Sequence, residues 1–132
     1  MLVDTHSHLY AAQFDEDRDA EIQSCLTAGV DKILLPNIDA SSIEGMHQLV
    51  DAYPEVCYPM MGVHPCSIQP ETWQKELQIA KEHLDNQTRE YIAVGEIGID
   101  LYWDKSTLSI QQDAFAEQIK WAKEKDLPIV IP

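Results

Sequence analysis

Basic residues are scarce in this chain. Nine Lys and Arg stand against 23 Asp and Glu in 132 residues, a formal net charge of −14. That balance argues against a sequence-independent grip on polyphosphate through a basic face. It leaves a phosphate-bearing substrate open, because bound divalent cations reverse the local potential in a site. Cysteine is also sparse: Cys25, Cys57 and Cys66 make an odd set without Cys-x-x-Cys spacing. They point to free thiols in a reducing compartment rather than to a disulfide framework. The apolar runs are only a handful of residues long, far short of a membrane span. The start, Met1-Leu2-Val3-Asp4, carries no basic segment and becomes charged at once, unlike a secretory signal. A soluble cytoplasmic protein is therefore expected. The length suits one domain, and 45% apolar residues suffice for one core.

Short apolar runs alternate with helical patterns along the whole chain. Strands are predicted over Leu2–His8, Val30–Pro36, Val56–Val63, Tyr91–Ile99 and Leu127–Ile131. Between them, Ile22, Cys25 and Leu26 suit a helix ended by Gly29. Ile43, Met46, Val50 and Tyr53 suit a second, capped by Ser41 or Ser42 and closed by Pro54. A third opens at Pro70 with Trp73, Leu77, Ala80 and Leu84 on one face. A long fourth carries Leu108, Phe115, Ile119 and Ala122. The order β-α-β-α-β-α-β-α-β means an α/β fold with a parallel sheet. A doubly wound nucleotide fold would place a glycine-rich turn after the first strand. His6-Ser7-His8 stands there instead, which favours part of an eight-stranded TIM-type barrel.

Three predicted strand ends carry polar clusters: Asp4-x-His6-x-His8, Gly62-Val63-His64-Pro65, and Gly95-Glu96-Ile97-Gly98-Ile99-Asp100. In a barrel they converge on the C-terminal face, where active sites form. Residues two apart on a strand share a face, so His6 and His8 suit one divalent-metal site. The alternative is two unrelated polar residues in a loop. Glu96 shares parity with Ile92 and Val94 and is expected to project inward. There a carboxylate must be paired, protonated or metal-bound, unless it is simply a loop residue between glycines. An oxygen ligand bridging two cations, joined by two imidazoles, makes a coherent hydrolytic site. His64 could contact a substrate phosphate or a metal-bound water, or could be a turn histidine satisfied by backbone. Asp4 could orient His6 from behind, or be a buried polar residue at the barrel base. Asp100 suits a cap for the following loop. His47 and His83 are expected on the surface, and Trp73 and Trp121 in the core. Tyr102 and Trp103 could line a cleft or simply pack. Asp15-Glu16-Asp17 suits a solvated first helical turn.

Taken together, Asp4-Thr5-His6-Ser7-His8-Leu9, Gly62-Val63-His64-Pro65 and Val94-Gly95-Glu96-Ile97-Gly98-Ile99-Asp100 resemble the TatD family of metal-dependent deoxyribonucleases. Gln111-Gln112, Phe115 and Leu127-Pro128-Ile129-Val130-Ile131 continue the resemblance in order. It implies a TIM-type barrel that binds two divalent cations and hydrolyses phosphodiester bonds, with DNA as substrate. It further implies His6 and His8 as ligands of the first metal, Glu96 as the bridge to the second, and His64 beside the substrate phosphate. His and carboxylate donors suit Zn, Mn, Fe or Mg alike.

The pattern departs at the fifth strand, where the family's next metal-binding histidine would fall on Pro132. A full barrel needs about 250 residues. Residues 1–132 are accordingly expected to be the N-terminal part of such a barrel, inactive or weakly active alone. Its inner residues Met60, Ile92, Val94 and Val130 are expected to form an apolar patch covered by self-association or by a complementary half. Two other readings are a non-catalytic metal-binding or interaction half-domain, and another amidohydrolase acting on a small substrate.

Overall fold

A computed structural model describes all of residues 1–132. Five strands form in the expected order: β1 (Leu2–Asp4), β2 (Val30–Leu35), β3 (Cys57–Pro59), β4 (Val94–Gly95) and β5 (Ile129–Val130). Between them lie α1 (Arg18–Thr27), α2 (Ala40–Ala52), α3 (Trp73–Asp85) and α4 (Leu108–Lys125). Every ladder is parallel: β1 on β2, β2 on β3, β4 on β5. A bridge between Met61 and Val94 joins the two groups of strands. Each strand thus lies beside its neighbour in the chain, with no switch in order. A doubly wound sheet reverses order at its centre, so sequential order is the barrel arrangement.

The regular strands are shorter than the apolar runs. Past Asp4, the Asp4 carboxylate accepts from the His6 backbone N–H at 3.1 Å and turns the chain out of the ladder. In the third run, pairing changes sides after Pro59. Met60 N–H still donates to Leu35, whereas Met61 N–H donates to Ala93. In the fourth run only Val94–Gly95 keeps strand geometry. Gly95 is there because the β5 backbone comes close: a Cβ on it would stand 2.9 Å from that of Val130.

The helices lie where the periodicity places them, with different ends. Gly29 does terminate α1, at a φ of +91° that glycine alone adopts cheaply. The cap of α2 is Asp39 rather than Ser41 or Ser42. Asp39 accepts from Ser41 N–H at 3.0 Å, while the Ser42 hydroxyl accepts from Asp39 N–H at 3.3 Å, a reciprocal capping box. Helix α3 starts at Trp73, three residues after Pro70. The run Asp15-Glu16-Asp17 precedes α1 instead of forming its first turn, and Asp15 pairs with Arg18 at 2.7 Å. Ile22, Ile33, Leu35, Met46, Val63, Val94, Ile97 and Trp121 form the core between helices and sheet.

Two expectations are corrected here. Met60 and Val94 are fully buried and Ile92 and Val130 partly so, because β3, β4 and β5 cover one another. Exposed apolar residues lie along the outermost strands, Met1, Leu2 and Val3 at β1 and Ile129 and Ile131 at β5, and between β4 and α4 at Ile99, Tyr102 and Trp103. His47 is not a plain surface residue. Its Nε2 lies 2.7 Å from the Tyr91 hydroxyl and its ring edge meets that of His83. Burial, then the charge of Arg89 and the nearness of His83, push its pKa down to about 4.

Between about pH 6.5 and 4 the unfolded chain therefore takes up a proton that folded His47 refuses. The His47 contribution to stability should fall on acidification through that window and be constant below it. The expected outcome is a falling urea midpoint from pH 7 to 4 in the parent and a flatter profile in His47→Gln. Parallel profiles would refute it.

Candidate metal centre

The three strand-end clusters meet at one point. His6 Nε2 and His8 Nε2 lie 3.2 and 3.3 Å from Glu96 Oε2, and His64 Nε2 lies 3.4 Å from Glu96 Oε1. The two rings of the His-x-His pair are 5.2 Å apart, edge to face. One ligand atom each from His6, His8 and Glu96 fall within 4.8 Å of one another. Glu96 is 4% exposed, whereas His6 and His8 remain open to solvent on one side. Glu96 follows the last residue of β4 and is buried there.

Neighbouring hydrogen bonds assign the protons. The Tyr10 hydroxyl donates to the Pro36 carbonyl, so it presents a lone pair to His8 Nδ1 at 2.7 Å. His8 Nδ1 must then carry the hydrogen, and its Nε2 offers a lone pair to Glu96. Burial raises the Tyr10 phenol far above its usual range, so the donor proton stays in place. At His64 the assignment is opposite. Nδ1 accepts from the Cys66 N–H at 3.0 Å, which leaves the hydrogen on Nε2, toward Glu96 Oε1. The three imidazoles therefore divide by chemistry: His8 faces the carboxylate as an electron-pair donor, His64 as a hydrogen-bond donor.

Glu96 Oε2 is buried and has no hydrogen-bond partner. Burial opposes its ionisation, but the hydrogen bond from His64 and attraction from His64 and His6 outweigh it. The carboxyl is held well below the usual carboxylate range. An ionised oxygen without a donor, facing a nitrogen lone pair, is repulsive unless a cation sits between them. The donor set fits a divalent cation, with two imidazoles and one carboxylate leaving coordination positions open.

Residues that the sequence reading passed over brace this arrangement. Asn37, wholly buried, donates to Gly62 O at 2.9 Å and to Asp39 O at 3.1 Å. Its backbone N–H donates to Gly95 O, and its carbonyl accepts from Glu96 N–H, both at 3.1 Å. Gln118 accepts from Val63 N–H at 2.8 Å, one residue before His64. The Arg18 guanidinium donates to the carbonyls of Leu9, Tyr10 and Ala11 and holds the segment after His8. Gln111 and Gln118 stand seven apart among the buried residues of α4, a signal legible as polar positions on an apolar stripe. Asp4 reaches His6 through the backbone N–H and has no bond to its ring. Asp100 does secure the next loop, accepting from Tyr102 N–H at 2.9 Å.

Partners that orient a ligating imidazole typically change metal affinity about 10- to 100-fold. Tyr10→Phe should therefore weaken Mn²⁺ or Zn²⁺ binding by at least about tenfold, as measured by titration calorimetry. Unchanged affinity in a folded variant would contradict the proton assignment at His8.

Residues 3–131 match the family described as TatD related DNase. The chain is 35% identical over 136 residues to the uncharacterized metal-dependent hydrolase YabD of Bacillus subtilis, covering 99% of this chain and 50% of that protein. It is 29% identical over 130 residues to the 3'-5' ssDNA/RNA exonuclease TatD of Pectobacterium parmentieri, covering 98% and 49%. The crystal structure of YjjV, a TatD homologue from Escherichia coli, superposes with a TM-score of 0.81 at 33% identity. That match covers 98% of this chain and 49% of the other. The chain thus spans about half the length of the relatives it matches.

Proposed function

Since the chain belongs to the TatD-related DNase family, we propose that its strand-end cluster is the metal centre of a phosphodiester hydrolase acting on nucleic acid. His6, His8 and Glu96 hold one divalent cation. Together these three would hold the cation through one carboxylate and two imidazole donors, leaving open positions for water and a phosphate oxygen. The observation that carries the reading is the buried Glu96 Oε2, with no hydrogen bond of its own and with the Nε2 atoms of His6 and His8 3.2 and 3.3 Å away.

Bound cations of this kind polarise a phosphoryl oxygen and acidify water. The chain's own residues supply the rest. His64 Nε2–H donates toward the site and suits a non-bridging phosphate oxygen. Asp4 fixes the backbone at His6, and Tyr10 fixes the tautomer at His8. With a net charge of −14 the protein offers no general basic face, so cations must provide the attraction for the phosphate. The free outer edges at β1 and β5, with Leu2, Val3, Ile129 and Ile131 exposed, favour association with a second copy or with a complementary half.

Three measurements test this. Calorimetry should find Mn²⁺ bound by the parent and lost in Glu96→Gln; equal binding would remove the metal-centre reading. Hydrolysis of single-stranded DNA with Mg²⁺ or Mn²⁺ should be weak or nil for residues 1–132. A fusion of this chain to the second half of YjjV should be faster by at least about 10²–10³-fold, the typical value of one electrostatic stabiliser. Similar rates would show the second half dispensable. Light scattering should show more than a monomer, and a stable monomer that binds no hydrophobic dye would count against association.

A further inference from the structure

Tyr102 and Trp103 are the two most exposed aromatic side chains, at 81% and 79%. They sit edge to face with ring centroids 4.7 Å apart. Their loop is nonetheless held firmly. Gln111, itself buried, accepts from Asp100 N–H at 2.8 Å and donates to Asp100 O at 3.0 Å. The Asp100 carboxylate holds Tyr102 N–H, and Asp104 accepts from both N–H and hydroxyl of Ser106 at 2.8 and 2.6 Å. Polar contacts thus order a loop that buries neither of its large rings. Ordered exposure of two aromatics is the arrangement of a stacking surface.

The place is as telling as the exposure. Trp103 borders a hollow of about 250 Å³ whose other walls include Pro65, Cys66 and Asp100. Pro65 and Cys66 follow His64 directly, and Cys66 Sγ lies 3.4 Å from Asp100 Oδ2. Trp103 therefore shares a hollow with the segment that directly follows His64. Asp100 and Asp104 beside it repel a phosphate but tolerate an uncharged base, and every base has a π-face to offer.

We propose that Tyr102 and Trp103 form a stacking platform for an unpaired base of single-stranded nucleic acid whose phosphate lies at the metal centre. This rests on the phosphodiesterase reading above. It also fits the charge of the chain. Without a basic groove, affinity beyond the cations has to come from uncharged contacts, and base stacking is one that salt does not screen.

The test is anisotropy with a short labelled single-stranded DNA and with the same strand carrying abasic residues, both in Mn²⁺. The parent should prefer the base-bearing strand by about tenfold or more, within the usual value of one stacked base. Trp103→Ala should erase that preference and leave abasic binding unchanged, while Trp103→Phe should retain most of it. The preference should also hold between low and moderate NaCl. Equal Mn²⁺-dependent binding of both strands by the parent overturns the platform and leaves the metal centre standing. Equal loss of both strands in Trp103→Ala overturns it too, since that is a structural effect. No binding of either strand removes the phosphodiester reading and the platform with it.

Discussion

Glu96 places a carboxyl group almost wholly out of water, and the rest of the site is arranged around that constraint. A buried carboxylate costs several kcal/mol unless other groups compensate it. Here three imidazoles from two other strand ends approach it, and no backbone N–H does. His64 turns its Nε2–H toward the carboxylate and the Nε2 atoms of His6 and His8 lie 3.2 and 3.3 Å from it, so separate segments must deliver three rings to one point. Each brace in the site serves that delivery.

The braces are mostly polar and mostly buried. Asn37 ties the segment after β2 both to Gly62 and to the backbone at Gly95 and Glu96. Gln118 grips Val63 from α4. At Gly62 a Cβ would stand 2.8 Å from Ile97 Cγ2 and 3.0 Å from the Gly95 backbone, so the loops of His64 and Glu96 are in near contact. Such packing leaves little freedom to the two residues that frame the carboxylate. With a net charge of −14 the chain offers phosphate no general basic face.

Much of this was legible in one dimension. Alternation of apolar runs with helical periods identifies a parallel α/β sheet, and His-x-His in place of a glycine-rich turn favours a barrel. The motifs nominate His6, His8 and Glu96, although all three lie just past the ends of β1 and β4, so strand alternation alone is not what brings them together. Strand lengths were overestimated, because apolar runs continue where pairing changes partner, as at Pro59 and Met61. His47 looked like a helix-surface residue because nothing local announces its bond to Tyr91, 44 residues away. The apolar surface was misplaced for the same reason. Which of Met60, Val94, Leu2 and Val3 is covered depends on which strands lie outermost.

Spacing and composition, then, determined by themselves the strand–helix order, the candidate ligands and the lack of a basic face. These follow from local periodicity and from counting, which need no partner. Tertiary structure alone decided the protonation pattern, the bracing and the exposure of Tyr102 and Trp103. Tyr10 takes its orientation from Pro36, 26 residues on, and Val63 is held by Gln118, 55 residues on. Whether a nitrogen offers a proton or a lone pair depends on what stands opposite it. Only the folded chain puts a residue there.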